Sequence, residues 1–355
     1  YLVARKYEEM YTKKGVPGNR AQHWGMITNI DENMGRLMKK LDEWKLADNT
    51  MLIFMTDNGT AAGGGRGRDG FNAGMRGAKG SEYEGGHRVP CFLRWPAKWG
   101  KAKDISTLTA HIDLMPTLAE VCGLKMPTDR KIDGKSIVPL LTGKGEFPKR
   151  TLFVHSQRIE HPQKYRKCSV MTERWRLVNG KELYDIQEDP GQRKNVSEDH
   201  PTVVKELRAA YDGWFADLSK SFKDYAWIVL GAEKENPAWL TCHDWHGPRV
   251  PWNQGMIRRG MKGNGFWAVD VEKAGKYRVT LHRQPPQDPK ALRGDKARVK
   301  LGEVEASKAI PAGATKISFD VKLAKGKQRL QTWILNSKKQ SHGAYFVEVE
   351  RTGDQ

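Results

Sequence analysis

The chain has 355 residues, 38% hydrophobic and 29% charged, which is enough for one large domain plus a smaller one and too apolar for a disordered polymer. Its formal charge of +19 is spread almost evenly over residues 1–230 and 231–355. A basic surface of this kind draws anions in general, acidic lipid and sulfated or carboxylated glycans included, but no nucleic-acid motif accompanies it and nucleic acid is not an expected partner.

In chain order, Met26, Ile27, Ile30, Met34, Leu37, Met38, Leu41 and Trp44 recur at three- and four-residue intervals, which predicts an amphipathic helix over 24–44. The short apolar run Met51 to Met55 reads as a strand buried on both faces of a mainly parallel sheet, with Thr56-Asp57-Asn58-Gly59 at its C-terminal end, where α/β sheets bind ligands. Eleven glycines between Gly59 and Gly86 exclude a helix or strand and predict a long, functional loop. Sheet character resumes over 89–95, and Ile112, Leu114, Met115, Leu118, Val121 and Cys122 mark a helix stopped by Gly123. Strands follow over 151–155 and 168–178, then a helix opened by Pro201. Beyond Gly231, short apolar strands at 266–271, 277–281, 317–323, 330–335 and 344–349 alternate with Gly, Pro and Lys turns, the pattern of a β-sandwich. The expected organisation is a core over 1–145, a small α+β subdomain over 146–230 and a sandwich over 231–355.

Few residues offer chemistry. Asp57 and Asn58 put a carboxylate and an amide oxygen side by side on a turn, donors that suit Ca²⁺ or Mg²⁺, although Ca²⁺ needs six to eight ligands and an ordinary turn also explains the pair. Lys79, in a glycine-rich loop, can neutralise a tetrahedral oxyanion. Arg76 and Arg88 can contact the same anion or pair with Glu82 or Glu84. Gly65-Arg66-Gly67-Arg68-Asp69-Gly70 fits a dinucleotide fingerprint in letters only, since no helix pattern follows, and it is too short for an RNA-binding segment. Cys91, Cys122, Cys168 and Cys242 form no C-x-x-C pair, and Cys242, His243, Asp244 and His246 are too crowded for a closed zinc site. Five tryptophans, Trp227, Trp239, Trp245, Trp252 and Trp267, suit either a junction between domains or contact with sugar rings.

Read together, Asp57-Asn58-Gly59 ending a strand, the glycine-rich loop, and Lys79-Gly80-Ser81-Glu82-Tyr83-Glu84-Gly85-Gly86-His87-Arg88-Val89-Pro90 closely resemble the second signature region of the sulfatases. His111 to Leu118 is similar to that family's helix after the core sheet. Leu183-Tyr184-Asp185-Ile186, Asp189-Pro190-Gly191 and Asn195-Val196 are similar to its C-terminal subdomain, so the resemblance spans about residues 1 to 220.

The resemblance implies a partial alkaline-phosphatase-like α/β core, a mainly parallel sheet flanked by helices, with a small α+β subdomain and an appended sandwich. It implies hydrolysis of sulfate monoesters, of sulfated polysaccharide or oligosaccharide for preference, with one Ca²⁺ and a formylglycine made from a Cys or Ser in a C/S-x-P-S/A-R motif. Asp57 and Asn58 become metal ligands and Lys79, with Arg76, a contact to the sulfate oxygens, while Glu84 and Arg88 brace the loop. No such nucleophile motif occurs here, the chain opens on Tyr1, and no signal peptide is seen. The expectation is therefore a piece whose nucleophile and remaining ligands lie upstream, inactive by itself, from a periplasmic or extracellular protein. The alternatives are a phosphodiesterase or phosphonate hydrolase of the same superfamily and a non-catalytic glycan-binding remnant.

Overall fold

A computed structural model describes residues 1–61, 71–99, 102–338 and 340–354. The chain separates into two compact units, one of residues 1–157 and 163–217 and the other of residues 158–162 and 218–355. The glycine motif of residues 65–70 lies outside the described residues.

The first unit opens with helices α1 (Arg5–Thr12) and α2 (Gly18–Glu43). Close approach of the two depends on Gly25, where an added Cβ would lie 3.0 Å from the Tyr7 backbone carbon, and on Ala21, which is fully buried. The Tyr7 hydroxyl donates to Glu32 Oε2 at 2.6 Å and fixes their pairing. The apolar stripe foreseen for this helix is present, yet Ile27, Ile30, Leu37 and Trp44 remain exposed among the described residues.

Strand β1 (Leu52–Met55), helix α3 (Glu84–His87) and strand β2 (Cys91–Arg94) follow, with β1 antiparallel to β2 in the register Leu52 to Arg94 and Met55 to Cys91. All four β1 residues are half-buried rather than enclosed on both faces. The parallel neighbours expected for this strand are not among the described residues; β2 is its one described partner. Helix α4 (Pro96–Trp99), α5 (Leu114–Val121) and α6 (Val138–Thr142) complete this part. They are organised around buried Asp113, whose carboxylate accepts from the backbone N–H groups of Ala110 and Lys135, both at 2.8 Å, and from Arg150.

Four strands, β3 (Leu152–His155), β4 (Cys168–Met171), β5 (Trp175–Val178) and β6 (Glu182–Asp185), pair in sequence order as an antiparallel meander. The single strand anticipated over 168–178 is thus a hairpin. Thr172 breaks the run by accepting the Trp175 N–H on its hydroxyl, which leaves charged Glu173 and Arg174 to the turn. Helix α7 (Pro201–Ser219) lays Leu207 and Tyr211 onto Cys168, Val170, Leu177 and Leu183, with Trp214 stacked on Phe153 at 4.7 Å.

The second unit is a β-sandwich. One sheet runs β13 (Lys316–Leu323), β10 (Gly275–His282), β16 (Phe346–Gly353), β8 (Ala238–Thr241). The other runs β12 (Val304–Ala309), β11 (Lys296–Leu301), β14 (Gly326–Leu335), β9 (Phe266–Val271), β7 (Ile228–Leu230), with β15 (Ser341–His342) on β14. Pairing is antiparallel except between β7 and β9. Alternate residues point inward, so that Val279, Leu281, Phe319 and Val347 of one sheet share a core with Trp267, Val269, Val299 and Leu330 of the other. The short helix α8 (Gln254–Arg259) is capped by Asn253, which accepts the Met256 N–H at 2.9 Å.

The tryptophans divide by position rather than sharing one role. Trp245 and Trp267 are buried inside the sandwich core, and the Trp267 indole donates to the Thr241 carbonyl at 2.7 Å, which supplies the polar partner a buried indole requires. Trp239 packs against the same core, while Trp252 is exposed beneath the Arg158 guanidinium at 4.2 Å.

Candidate functional site

The site grows out of the turn at the end of β1. Here the chain leaves the sheet through Thr56, whose hydroxyl donates to the Asn58 carbonyl at 3.2 Å, and continues to Gly59, whose N–H donates to the Gly86 carbonyl at 3.0 Å. The Lys79 N–H then donates to the Thr60 carbonyl at 2.9 Å. Two segments twenty residues apart in sequence are thereby stitched together, with Asp57 and Asn58 on one and Lys79 on the other.

Only glycine permits this approach. A Cβ on Gly59 would lie 1.9 Å from the Gly85 oxygen, one on Gly85 2.3 Å from the Gly77 oxygen, and one on Gly86 2.1 Å from the Ser81 oxygen. Gly77 and Gly80 also carry φ of 85° and 82° on either side of Lys79, which an L side chain resists. The Gly80 carbonyl is held in turn by the Ser156 hydroxyl at 2.7 Å.

Beneath the loop lies Glu84, 1% exposed, which receives the Arg176 Nε at 2.6 Å on one oxygen and Arg88 at 3.4 Å on the other. Its own N–H donates to Gln192 Oε1 at 2.8 Å. Burial by itself would raise this carboxyl's pKa, but the charge and hydrogen bond of Arg176, helped by His87 and Arg88, hold it below the ordinary glutamate range. Burial also lowers the pKa of His87, whose Nε2 lies 3.2 Å from the Glu82 carbonyl.

Arg76 is engaged by the second flank of the loop. Its guanidinium donates to the Tyr184 hydroxyl at 2.8 Å, stands 3.7 Å from Glu182 and covers the Tyr83 ring at 3.9 Å. The carboxylate that meets Arg76 is thus Glu182, not the neighbouring Glu82 or Glu84 weighed from sequence. Tyr83 donates to Glu182 at 2.8 Å, and burial together with that carboxylate pushes the phenol up to about 12.

The loop's anchors are therefore Arg176, Glu182 and Gln192, none of which stood out in the sequence. Only Gln192 falls in a stretch the sequence marked, Leu183 to Val196, where Asn195 Oδ1 accepts the Leu183 N–H at 2.9 Å and Asp189 accepts the Lys194 N–H at 2.8 Å. Gln192, fully buried with φ of 52°, is turned inward by that fold.

The side chains of Asp57 and Lys79, by contrast, are exposed and have no hydrogen-bond or ion-pair partner among the described residues. Asn58 beside them is half-buried. Among the described residues no group of three or more His, Cys, Asp or Glu side chains forms a metal cluster. Asp57 and Asn58 therefore suit a hard cation as two of its oxygen ligands, not as a complete set. Near Cys242, burial pushes the thiol up to about 12, His246 Nδ1 lies 2.9 Å from Glu160, and Asp244 accepts from Thr241.

Comparison with known proteins places one segment. Residues 3–124 match the model of the sulfatases, and residues 78–213 match that of the C-terminal region of N-sulphoglucosamine sulphohydrolase. Residues 3–124 are thus a sulfatase-type segment. Mouse steryl-sulfatase is 34% identical over 162 residues, which cover 44% of this chain and 24% of that protein. The N-acetylgalactosamine-6-O-sulfatase of Bacteroides thetaiotaomicron is 33% identical over 203 residues, 51% of this chain and 39% of that protein. The chain thus spans well under half the length of these sulfatases. The solved structure of Ps i-CgsB shares the fold, with a TM-score of 0.53 and 24% identity over 60% of this chain and 46% of that one. That likeness shows a common α/β fold over the part of the chain it covers. In this family setting, the stitched glycine loop is the segment shared by both matched regions, since Lys79 and Glu84 fall where they overlap.

Proposed function

We propose that the protein hydrolyses sulfate monoesters, with Asp57 and Asn58 as calcium ligands and Lys79 as a contact to the sulfate oxygens. The observation that carries this reading is the backbone bond from the Lys79 N–H to the Thr60 carbonyl, which ties the segment of Lys79 to the turn of Asp57 and Asn58 at the end of β1. Asp57 and Asn58 would hold a calcium ion that, when bound, would screen the charge of the ester, and the family's formylglycine would supply the nucleophile. Asp57 and Asn58 contribute oxygen donors to the ion. Lys79 neutralises charge on the sulfate in a loop already fixed by its glycines, so little reorganisation is needed when the ester arrives. Arg76, tied to Tyr184 and Glu182, orders the loop and borders the anion.

A sulfated saccharide is the proposed substrate. The name of the Bacteroides thetaiotaomicron relative and the +19 charge of this chain both favour it. A periplasmic or extracellular location belongs to the same reading. No described helix is long and apolar enough to cross a membrane.

The decisive experiment is Lys79→Ala in the protein expressed from its whole gene, with sulfate release from an aryl sulfate as readout. A loss of roughly 100-fold or more at an unchanged melting temperature is expected, the scale of removing one preorganised oxyanion contact. Full activity of the variant would overturn the role of Lys79. Activity that survives exhaustive calcium chelation would overturn the role of Asp57 and Asn58.

A further inference from the structure

The sandwich holds a second concentration of unpaired positive charge, far in sequence from the segments matched to the sulfatases. A cavity of about 310 Å³ is lined by Arg259, Lys262, Arg283 and Arg293, with no carboxylate among its described lining residues. That volume is at the lower end of small-ligand pockets, roughly 300–1,000 Å³.

The four cations arrive from three stretches of chain. Arg259 ends α8, and Gly260, with φ of 72°, turns the chain so that Lys262 follows. Arg283 comes directly after β10, and Arg293 stands in the connection to β11. They meet closely, since a Cβ added to Gly260 would lie 3.3 Å from Arg293 Nη1. The dipole of α8 accounts for a basic residue at position 259 but for none of the other three.

Convergence of this kind is unfavourable in the free protein. The Arg283 Nε is buried without a hydrogen-bond partner, and its two terminal nitrogens reach only the carbonyls of Ala291 and Arg258 at 3.5 and 3.4 Å. Burial and then the charge of Arg293 lower the Arg283 pKa. Beside it, His342 is stacked on Tyr345, and its own pKa is lowered by burial and by Arg283 and Lys262. A bound anion would relieve this mutual repulsion and satisfy the orphaned donor.

We propose that this cavity is an anion-binding site for a sulfate or carboxylate group carried on a saccharide. The charged groups would hold the anion; Lys262 donates to Gln340 Oε1 at 2.7 Å and Asn336 Oδ1 accepts the Gln340 N–H at 3.0 Å, which leaves the Gln340 side-chain amide nitrogen on the same wall to meet a sugar hydroxyl. Such a site tethers anionic glycan to the sandwich. It uses no residue of 3–213 and so stands or falls apart from the hydrolytic reading.

The test is calorimetric titration of the whole protein with lactose 6′-sulfate, lactose and sodium sulfate, in a Lys79→Ala background that removes the first site's contribution. Lactose 6′-sulfate should bind, lactose should not, and sodium sulfate should bind more weakly than the sulfated sugar. The double variant Lys262→Gln/Arg293→Gln changes two exposed side chains and should weaken binding roughly tenfold or more. The control Lys300→Gln/Lys322→Gln, which removes as much charge from exposed positions elsewhere on the sandwich, should leave it unchanged. An equal loss in the control would reduce the effect to net charge and overturn the site. Unchanged binding in the pocket variant would do the same, and sodium sulfate binding as tightly as the sulfated sugar would reassign the cavity to a free anion. Should the double variant not fold, as judged by circular dichroism, exposed Arg259→Gln replaces it with the same criteria.

Discussion

Around the loop of residues 76–88 each arginine faces a carboxylate, whereas the cations of the sandwich cavity face none. Arg176 and Arg88 meet Glu84, and Arg76 meets Glu182; among the described residues that line their cavity, Arg259, Lys262, Arg283 and Arg293 have no carboxylate. Lys79 sits within the paired region yet shares the condition of the second set. A paired charge is accounted for by the fold that it braces. An unpaired one that is brought together with others at a cost is a statement about a ligand, and substitution should tell the two kinds apart.

The largest effect is expected at Arg176→Gln, which strands the Glu84 carboxylate in a site 1% exposed. Breaking one side of a buried pair costs about 3–5 kcal/mol, to be read from denaturant unfolding. The pH dependence sharpens it. Because the folded-state pKa of Glu84 is depressed, its contribution is fully present above the unfolded value of about 4.3 and is lost as pH falls through the folded value. The parent protein should therefore lose more stability below about pH 4 than the variant does. Parallel curves would mean that this pair does not set the acid limit.

Next comes Gly59→Ala, where the new methyl would lie 1.9 Å from a backbone oxygen that has no freedom to retreat. A cost of about 1–3 kcal/mol follows from overpacking. The same change pries apart the backbone bonds around Lys79, so sulfate release should fall further than Tm suggests. Loss of stability with activity intact would separate the loop's packing from its proposed chemistry.

Arg76→Gln should cost less, about 1 kcal/mol, because the guanidinium is largely exposed and water screens its pair with Glu182. It also tests the sequence-based assignment of Arg76 to the substrate. A rise in KM with unchanged Tm supports that contact. A fall in Tm with unchanged KM leaves Arg76 as a brace of Tyr83 and Tyr184.

What was legible in the sequence was local. Apolar periodicity located α2, α7 and strands such as Phe266–Val271, and the resemblance to the sulfatases singled out Asp57, Asn58 and Lys79, on two segments that the structure joins through the Lys79–Thr60 backbone bond. Lys296–Leu301 and Val304–Ala309 passed unnoticed because lysines and glutamates on their exposed faces interrupt the apolar run, and only alternate residues such as Ala297, Val299 and Leu301 enter the core. The loop's anchors were hidden for another reason. Glu84 is 92 residues from Arg176 and 108 from Gln192, and nothing in either segment announces a partner at that distance. The sandwich cavity is likewise an assembly of basic residues from three stretches between residues 259 and 293, in a chain that is basic throughout, so charge alone conceals it.

The smallest effect is expected where the comparison is sharpest, at Arg293→Gln. A brace removed from the loop must weaken the fold, but Arg293 stands exposed against Arg283 with no carboxylate to lose. Its removal relieves repulsion on the half-buried Arg283 guanidinium and forfeits little packing. Stability should therefore change by no more than about 0.5 kcal/mol, the range of ordinary surface substitutions, and in the upward direction. A thermal melt at low salt, where repulsion is least screened, is the sensitive measurement. The gain should shrink as salt is added, because small ions then do part of what the proposed saccharide anion does. A loss approaching that of Arg176→Gln would show instead that Arg293 is a structural brace and that unpaired charge in this protein does not mark a binding site.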